Sequence, residues 1–217
     1  MRTEYFTIAG GNKTCLVWDC PQDRQEALVK EILQNVDQVG FVTNNVPQRL
    51  IMMGDELCVN GILAFASTMH SPRGVIYASG VHGEIQYQHT EKGTHITFDL
   101  PYHIKGDMVM FEGIAFQCGT VDIEPTREEF QQLAKQYKVP AFGIIEYDEK
   151  QIYPSIYVAK THSLMRESAC GSGSIAVHLV TGICHVVQPT GETIYVEHTG
   201  NTFSVQATVR RLESYSS

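Results

Sequence analysis

The residues best suited to chemistry lie in two stretches, "DELCVNGILA" at 55–64 and "ESACGSGSIA" at 167–176. Each sets an acid, a short spacer and a cysteine ahead of x-[Asn/Ser]-Gly and a run of small apolar residues that can begin a helix. A single free cysteine most often behaves as a small core hydrophobe. Two in the same context, Cys58 and Cys170, call for another account. A thiol at a helix N-terminus faces N–H groups that favour the thiolate and can also hold a substrate carboxylate, and glycine beside it lets a ligand approach the backbone. Two such half-sites facing each other across a cleft suit stereoinversion at a carbon alpha to a carboxylate: one thiolate removes the α-proton and the other thiol returns a proton to the opposite face. The carbanion between the two steps is unstable in water, so the donors around its carboxylate must be preorganised in a dry site.

The elements that would carry these cysteines recur along the chain. A hairpin turn is expected at Gly10-Gly11-Asn12. Pro21 opens a helix through about Asn35, with Ala27, Leu28, Ile32 and Leu33 on one stripe. Strands follow at "QVGFVTN" and "RLIMMG", separated by a turn at Asn44-Asn45, and then the helix that Cys58 begins. A β-rich stretch runs from about Val75 to Asp122. Next comes a helix with Thr126 as N-cap and Glu129 at N3, a capping box, then the strands "AFGIIEYD" and "SIYVAK", and the helix that Cys170 begins. The glycines at the centre of the two V/F-G-F/I strands, Gly40 and Gly143, are 103 positions apart, and the cysteines are 112 apart. The pattern is that of an internal duplication.

Composition limits the alternatives. With 217 residues and a net charge of −8, the chain lacks the basic face that nucleic-acid binding needs. No run approaches a membrane span and the N-terminus has no secretory pattern, so a cytoplasmic protein with reduced thiols and a small-molecule partner is expected. Neither Cys15 and Cys20 nor Cys184 with His185 has zinc-like spacing, and Cys118 reads as a core thiol. A cysteine hydrolase would leave the second cysteine unexplained, and its candidate bases, His178 and His185, lie on or beyond the helix that Cys170 starts. A pyridoxal-phosphate racemase would need a Schiff-base lysine in a phosphate cradle, and none is evident.

The stretches "GGNKTCLVWD", "DELCVNGILAFA" and "ESACGSGSIAVHL" resemble the Gly-Asn, E-x-C-G-N-G and A-C-G-[ST]-G motifs of the diaminopimelate epimerase-like superfamily of cofactor-independent racemases. "QVGFV" and "DEKQIYPSIYVAKTHSLMRESACGSG" are closer to its histidine racemase branch, which supplies D-histidine for opine metallophores. The resemblance implies an α/β (α+β) fold of two pseudo-symmetric lobes, each a curved, mostly antiparallel sheet around a central helix. The lobes would be residues 1–108 with Cys58 and 109–202 with Cys170, the strand near 203–213 packing back on the first. It implies an amino-acid substrate, no cofactor and no metal, and leaves a homodimer open. Cys58 and Cys170 take the positions of the acid/base cysteines, and Asn12 that of a substrate-contacting asparagine. Val59, Asn60 and Gly61, and likewise Gly171, Ser172 and Gly173, fall where backbone groups hold the α-carboxylate. Thr161 and His162 replace the epimerase's Glu-Arg pair, "GIAF" at 113–116 replaces Gly-Asn-Pro-His, and Ala141 replaces an asparagine. The epimerase's groups recognise the distal amino-carboxylate of diaminopimelate, so their loss argues against that substrate, and the likeness to the histidine racemase branch makes histidine the expected one. Another amino acid, including diaminopimelate, is the alternative with the same chemistry, and an amino-acid-binding relative without catalysis is the alternative from another class. Val59 in place of the usual glycine bears on that last reading, because it narrows the first carboxylate-binding turn.

Overall fold

In a computed structural model, residues 1–43, 45–119 and 125–213 are described; Asn44 of the expected Asn-Asn turn and the 120–122 end of the β-rich stretch lie outside them. The fold is mixed α+β; among the described residues it is a curled sheet of seventeen strands with four helices. The first half holds β1 (Arg2–Ile8), β2 (Gly11–Trp18), α1 (Gln22–Ile32), β3 (Gln38–Val42), β4 (Arg49–Met52), α2 (Val59–Ser67), β5 (Arg73–Ala78), β6 (Ile85–Thr90) and β7 (Gly93–Asp99). A hairpin of β8 (Tyr102–Lys105) and β9 (Met108–Phe111) leads into the second half. There follow β10 (Ile114–Cys118), α3 (Arg127–Tyr137), β11 (Ala141–Asp148), β12 (Gln151–Val158), β13 (Ser163–Arg166) and α4 (Gly171–Thr181). The chain closes with β14 (His185–Val187), β15 (Thr193–Thr199), β16 (Thr202–Ala207) and β17 (Val209–Leu212).

The duplication read in the sequence appears as a shared topology. β2 and β3 run parallel across α1, as β10 and β11 do across α3, and each second strand turns back antiparallel into β4 or β12 before the cysteine helix. Gly40 and Gly143 hold equivalent places, opposite Leu16 and Met52 in one half and opposite Phe116 and Ile156 in the other. The second half adds β13, which pairs with β12 and has no counterpart between β4 and α2. That extra strand accounts for the larger spacing between the cysteines than between the glycines.

Helices α2 and α4 are the cores of the two halves. Residues 59–66 of α2 and 171–178 of α4 are all buried, the pattern of a helix that is apolar all round and enclosed on every side. Helix α2 packs on β1 to β4, β6, β7 and β17, helix α4 on β9 to β11, β14 and β15, and the two helices meet each other. The halves are also stitched by β16, which pairs with both β15 and β7, and by β17, which returns to β1. Helices α1 and α3 lie outside and bury narrow stripes, Val29 and Ile32 in one and Phe130 and Ala134 in the other.

Local signals behave as their chemistry predicts, with two differences. The Thr126 capping box forms in full, and Pro21 is the N-cap of α1. Helix α1 stops at Ile32, short of Asn35, because Gln34 and Asn35 donate to carbonyls three residues back and tighten the chain into a turn. The β1–β2 turn falls on Ala9 and Gly10, both at positive φ, and Gly11 and Asn12 already belong to β2. Cys118 is buried in the core. Among the described residues, no helix is long and apolar enough to cross a membrane.

Candidate active site

Both cysteines are helix N-caps. Cys58 precedes α2 and Cys170 precedes α4, each in extended backbone, and each sulfur accepts the N–H of the glycine three residues on, Gly61 or Gly173, at 3.3 Å. In this capping geometry the thiol takes the place usually held by a Ser or Asp oxygen. The contact between α2 and α4 brings the two N-termini together, and Cys58 and Cys170 line one cavity with Asn60 and Ser172.

The two N-termini cap each other crosswise. Val59 N–H donates to Ser172 Oγ at 3.1 Å, and Gly171 N–H donates to Asn60 Oδ1 at 3.0 Å, while Asn60 Nδ2 donates to Ala169 O at 2.9 Å. The first N–H of each helix, expected to hold a carboxylate, is thus occupied by a side chain of the opposite half. The approach is close enough that a Cβ on Gly171 would lie 2.6 Å from Val59 Cγ1. Only glycine leaves room there for the valine that stands in place of the usual glycine of the first motif.

Each thiol has a different polar neighbour. Cys58 Sγ donates to Gln38 Oε1 at 2.9 Å, and Gln38 is fixed by Nε2, which donates to Asn12 Oδ1 and to Thr14 Oγ1, both at 2.7 Å. Asn12 N–H donates to Ser168 Oγ at 2.8 Å, tying this network to the segment before Cys170. On the other side the Cys170 thiol interacts with the carboxyl of Glu167. Cys170 N–H donates to Gln188 Oε1 at 2.8 Å, and Gln188 Nε2 donates to Ser174 Oγ at 3.0 Å, which fixes the start of α4.

Burial dominates the electrostatics. Cys58 and Cys170 are 8% and 4% exposed. Loss of solvation pushes both thiols well above their ordinary range; the charge of Glu56 and Glu167 adds to this at Cys58, and that of Glu167 at Cys170. The helix N–H groups pull the other way and are outweighed, so the lowered thiol expected from the helix N-termini alone is not found in this closed cavity. The carboxyls behave alike: burial raises Glu167 to about 8, and Glu56, whose Oε2 accepts Gly54 N–H at 2.7 Å, to about 7.

The cavity has a volume of about 30 Å³, room for one or two waters and too small for an amino acid. Its remaining wall is largely apolar, from Met53, Ile114, Ile156, Val158 and Met165, with Ser163 as a hydroxyl. Asp37 and Met165 also border an outer groove of about 480 Å³ that runs past Lys13, Gln34 and Ser168.

Of the residues singled out in the sequence, the structure brings together Cys58, Cys170, Asn60 and Ser172 on the cavity wall. Val59, Gly61, Gly171 and Gly173 stand directly behind it as caps and close contacts, and Asn12 reaches it through Gln38. Thr161 and His162 are not brought there. Pairing of β13 with β12 turns Ser163 and Met165 toward the cavity and Leu164 toward the cluster beneath α3. His162, in the turn before β13 at positive φ, falls on that outer side, its Nδ1 3.1 Å from the Tyr157 hydroxyl, beside a separate surface cavity. Thr161 Oγ1 lies 2.8 Å from Ser163 Oγ. Sequence reasoning passed over Gln38, Glu56 and Glu167 as functional groups. The signal was present, since the acids are part of both repeated motifs and Gln38 opens "QVGF".

Comparison with solved structures finds the same fold at low identity. A predicted epimerase from Pseudomonas aeruginosa aligns over 100% of both chains at 10% identity with a TM-score of 0.64. A putative phenazine biosynthesis PhzC/PhzF protein from Clostridium difficile aligns over 98% of each chain at 12% identity with a TM-score of 0.60. A PhzF-family phenazine biosynthesis protein from Bacillus anthracis does so at 15% identity and 0.59, again over 98% of each. No curated protein sequence matches the chain. Residues 9–215 match the histidine racemase CntK N-terminal domain, and the chain belongs to that family of amino-acid racemases.

Proposed function

We propose that the protein interconverts L- and D-histidine by a two-base mechanism in which Cys58 and Cys170 act from opposite faces of the α-carbon, without pyridoxal phosphate. The observation that carries this reading is the meeting of two cysteine-capped helix N-termini at one buried cavity; the reading takes that cavity to lie between lobes of about residues 1–108 and 109–202. Substrate enters when Asp37 and Met165 part and the lobes separate enough to release the crosswise caps. The freed N–H groups of Val59 and Gly171, with the helix dipoles behind them, then receive the α-carboxylate. The α-ammonium supplies the positive charge that the dry cavity lacks, and so favours ionisation of one thiol. Cys170, assisted by Glu167, takes the α-proton; Cys58, held as a thiol by Gln38, protonates the other face. Burial strengthens the stabilisation of the developing enolate by these fixed donors.

The lining supports histidine over diaminopimelate. It includes the carboxyls of Asp37, Glu56 and Glu167 and no Lys, Arg or His, which suits an imidazole and leaves a distal carboxylate without a partner. The reading includes a cytoplasmic setting in which the thiols stay reduced, with D-histidine for metallophore assembly as the use suggested by the histidine racemase branch. A panel of single L-amino acids, incubated under reducing conditions and resolved by chiral chromatography, tests the substrate. D-Histidine should form fastest, and faster formation of D,L-diaminopimelate or of any other D-amino acid would refute the assignment.

A further inference from the structure

Two-base inversion fixes where the α-carbon and its carboxylate lie, but not where the side chain goes. With the α-carbon between Cys58 and Cys170 and the carboxylate on the Val59 and Gly171 N–H groups, the side chain has to leave the cavity, whose volume of about 30 Å³ holds only a water or two. The outer groove of about 480 Å³ shares two lining residues with that cavity, Asp37 and Met165. The surface cavities beside Arg2 and beside Lys135 share none. Asp37 stands just before β3 and Met165 is in β13. A carboxylate and a thioether at one passage suit a small aromatic ring that carries an N–H: the oxygen accepts the N–H and the sulfur packs on the ring.

Asp37 is held so that one oxygen is left to accept. Its Oδ2 accepts the Lys13 N–H at 2.7 Å, and its own N–H donates to Lys13 O at 2.9 Å, so β2 fixes both its backbone and its side chain. Among the described residues no hydrogen bond reaches Asp37 Oδ1. The other two acids of the lining are enclosed: Glu56 and Glu167 are 4% and 7% exposed, and burial raises them to about 7 and about 8. Asp37 is only half-buried. Burial raises its carboxyl too, but the Lys13 N–H and ammonium oppose that rise. Of the three acids, Asp37 alone borders a groove with room for a ring.

We propose that Asp37 is the specificity-determining residue: the substrate's side chain passes between Asp37 and Met165 into the outer groove, where Asp37 Oδ1 accepts a ring N–H and binds imidazolium more tightly than neutral imidazole. An apolar ring of the same size meets the same Met165 but leaves the carboxylate without a donor. The assignment rests on the racemase reading for the place of the α-carbon, but its test uses no turnover. The charged and titratable groups around the passage are Lys13 on β2, Glu56 and Cys58 before α2, and Glu167 and Cys170 before α4. Their effect on the α-ammonium and carboxylate is common to all amino acids, and whatever they add at the ring persists when Asp37 is replaced.

The test compares two ligands of one shape. Equilibrium dialysis under reducing conditions gives dissociation constants for racemic histidine and for racemic thienylalanine, whose ring has neither an N–H nor a basic nitrogen. Racemic ligands keep the measurement independent of turnover. In the unsubstituted protein the preference for histidine should rise about fivefold from pH 8.5 to pH 6, as the imidazole takes up its proton near about pH 6.5. Asp37→Asn keeps an oxygen for the Lys13 N–H and turns an NH₂ to the ring, which donates to neutral imidazole and repels imidazolium. Its preference should therefore fall about threefold over the same range. Asp37→Ser, whose hydroxyl accepts from the same N–H, replaces it should the asparagine variant not fold, and its preference should not rise. A preference that stays level in the unsubstituted protein, one that rises equally in the variants, or a protein that does not bind histidine overturns the assignment. If the preference behaves as predicted and no amino acid is racemised, the racemase reading fails and Asp37 remains the residue that recognises histidine. If histidine is racemised and the preference ignores Asp37, the assignment fails and the racemase reading stands.

Discussion

Replacing Glu167 with Gln should stabilise the protein at pH 8 and leave its stability nearly unchanged at pH 5. The carboxyl titrates near 4.5 when free in the unfolded chain and near 8 in the folded one, where burial opposes its charge. Between those values the native protein holds a proton that the unfolded chain has released, so stability falls as pH rises through this window and levels off above pH 8. Each pH unit costs about 1.4 kcal/mol, which sets a ceiling of about 5 kcal/mol across the window in a fully dry site. Water that reaches the cavity as it opens reduces this, and about 2 kcal/mol is the working expectation. Glutamine has the same shape and no charge, so this slope should vanish in Glu167→Gln. The smaller contribution of Glu56, which titrates near 7 for the same reason, should remain. Urea denaturation at half-unit intervals from pH 5 to pH 8.5 measures the difference directly. A variant whose stability runs parallel to that of the unsubstituted protein would show that Glu167 is not held protonated by burial, and the electrostatic account of the cavity would fail with it.

Further expectations concern the helix contact and the thiols. Gly171→Ala would set a methyl against Val59 Cγ1, forcing α2 and α4 apart; it should destabilise the protein by about 1 to 3 kcal/mol, and Val59→Gly in the same chain should restore most of the loss by thermal or urea midpoint. Activity should disappear on mild oxidation, when either thiol is converted to a sulfenic acid or the two are joined, and return with reductant. Full activity after exhaustive oxidation would contradict the placement of both sulfurs at the reacting carbon.

The parts of the fold that are local in sequence could be read from it. A capping box, a proline at a helix start and two equal cysteine motifs specify their own surroundings, and all were legible. Two cysteines in matching contexts also implied that their helices meet, because a duplicated fold places equivalent elements about a pseudo-twofold axis. What could not be read depends on strand register and on burial. The resemblance places Thr161 and His162 at substrate-binding positions, yet the alternation of β13 gives Ser163 and Met165 to the cavity and leaves His162 beside Tyr157 on the other side. The helix N-termini suggested thiols lowered by N–H donors. Only the enclosed cavity shows that desolvation exceeds that effect, and no linear motif reports enclosure. Gln38 and Glu167 lie close in sequence to recognisable motifs, but their place at the site comes from strand register and burial, which bring Gln38 to Cys58 and Asn12 from 20 and 26 positions away, and the two halves are joined by contacts over more than a hundred positions, such as Asn12 with Ser168 and Asn60 with Gly171.

The central claim is that two thiols exchange the α-proton of one amino acid from opposite faces. Following the α-proton signal and optical rotation of L-histidine in D₂O under reducing conditions tests this, with the unsubstituted protein beside Cys58→Ala and Cys170→Ala. The account predicts that the unsubstituted protein replaces the α-proton with deuterium as rotation decays to zero, and that neither variant inverts the centre. Unchanged rotation with the unsubstituted protein, or full turnover by either variant, would contradict it.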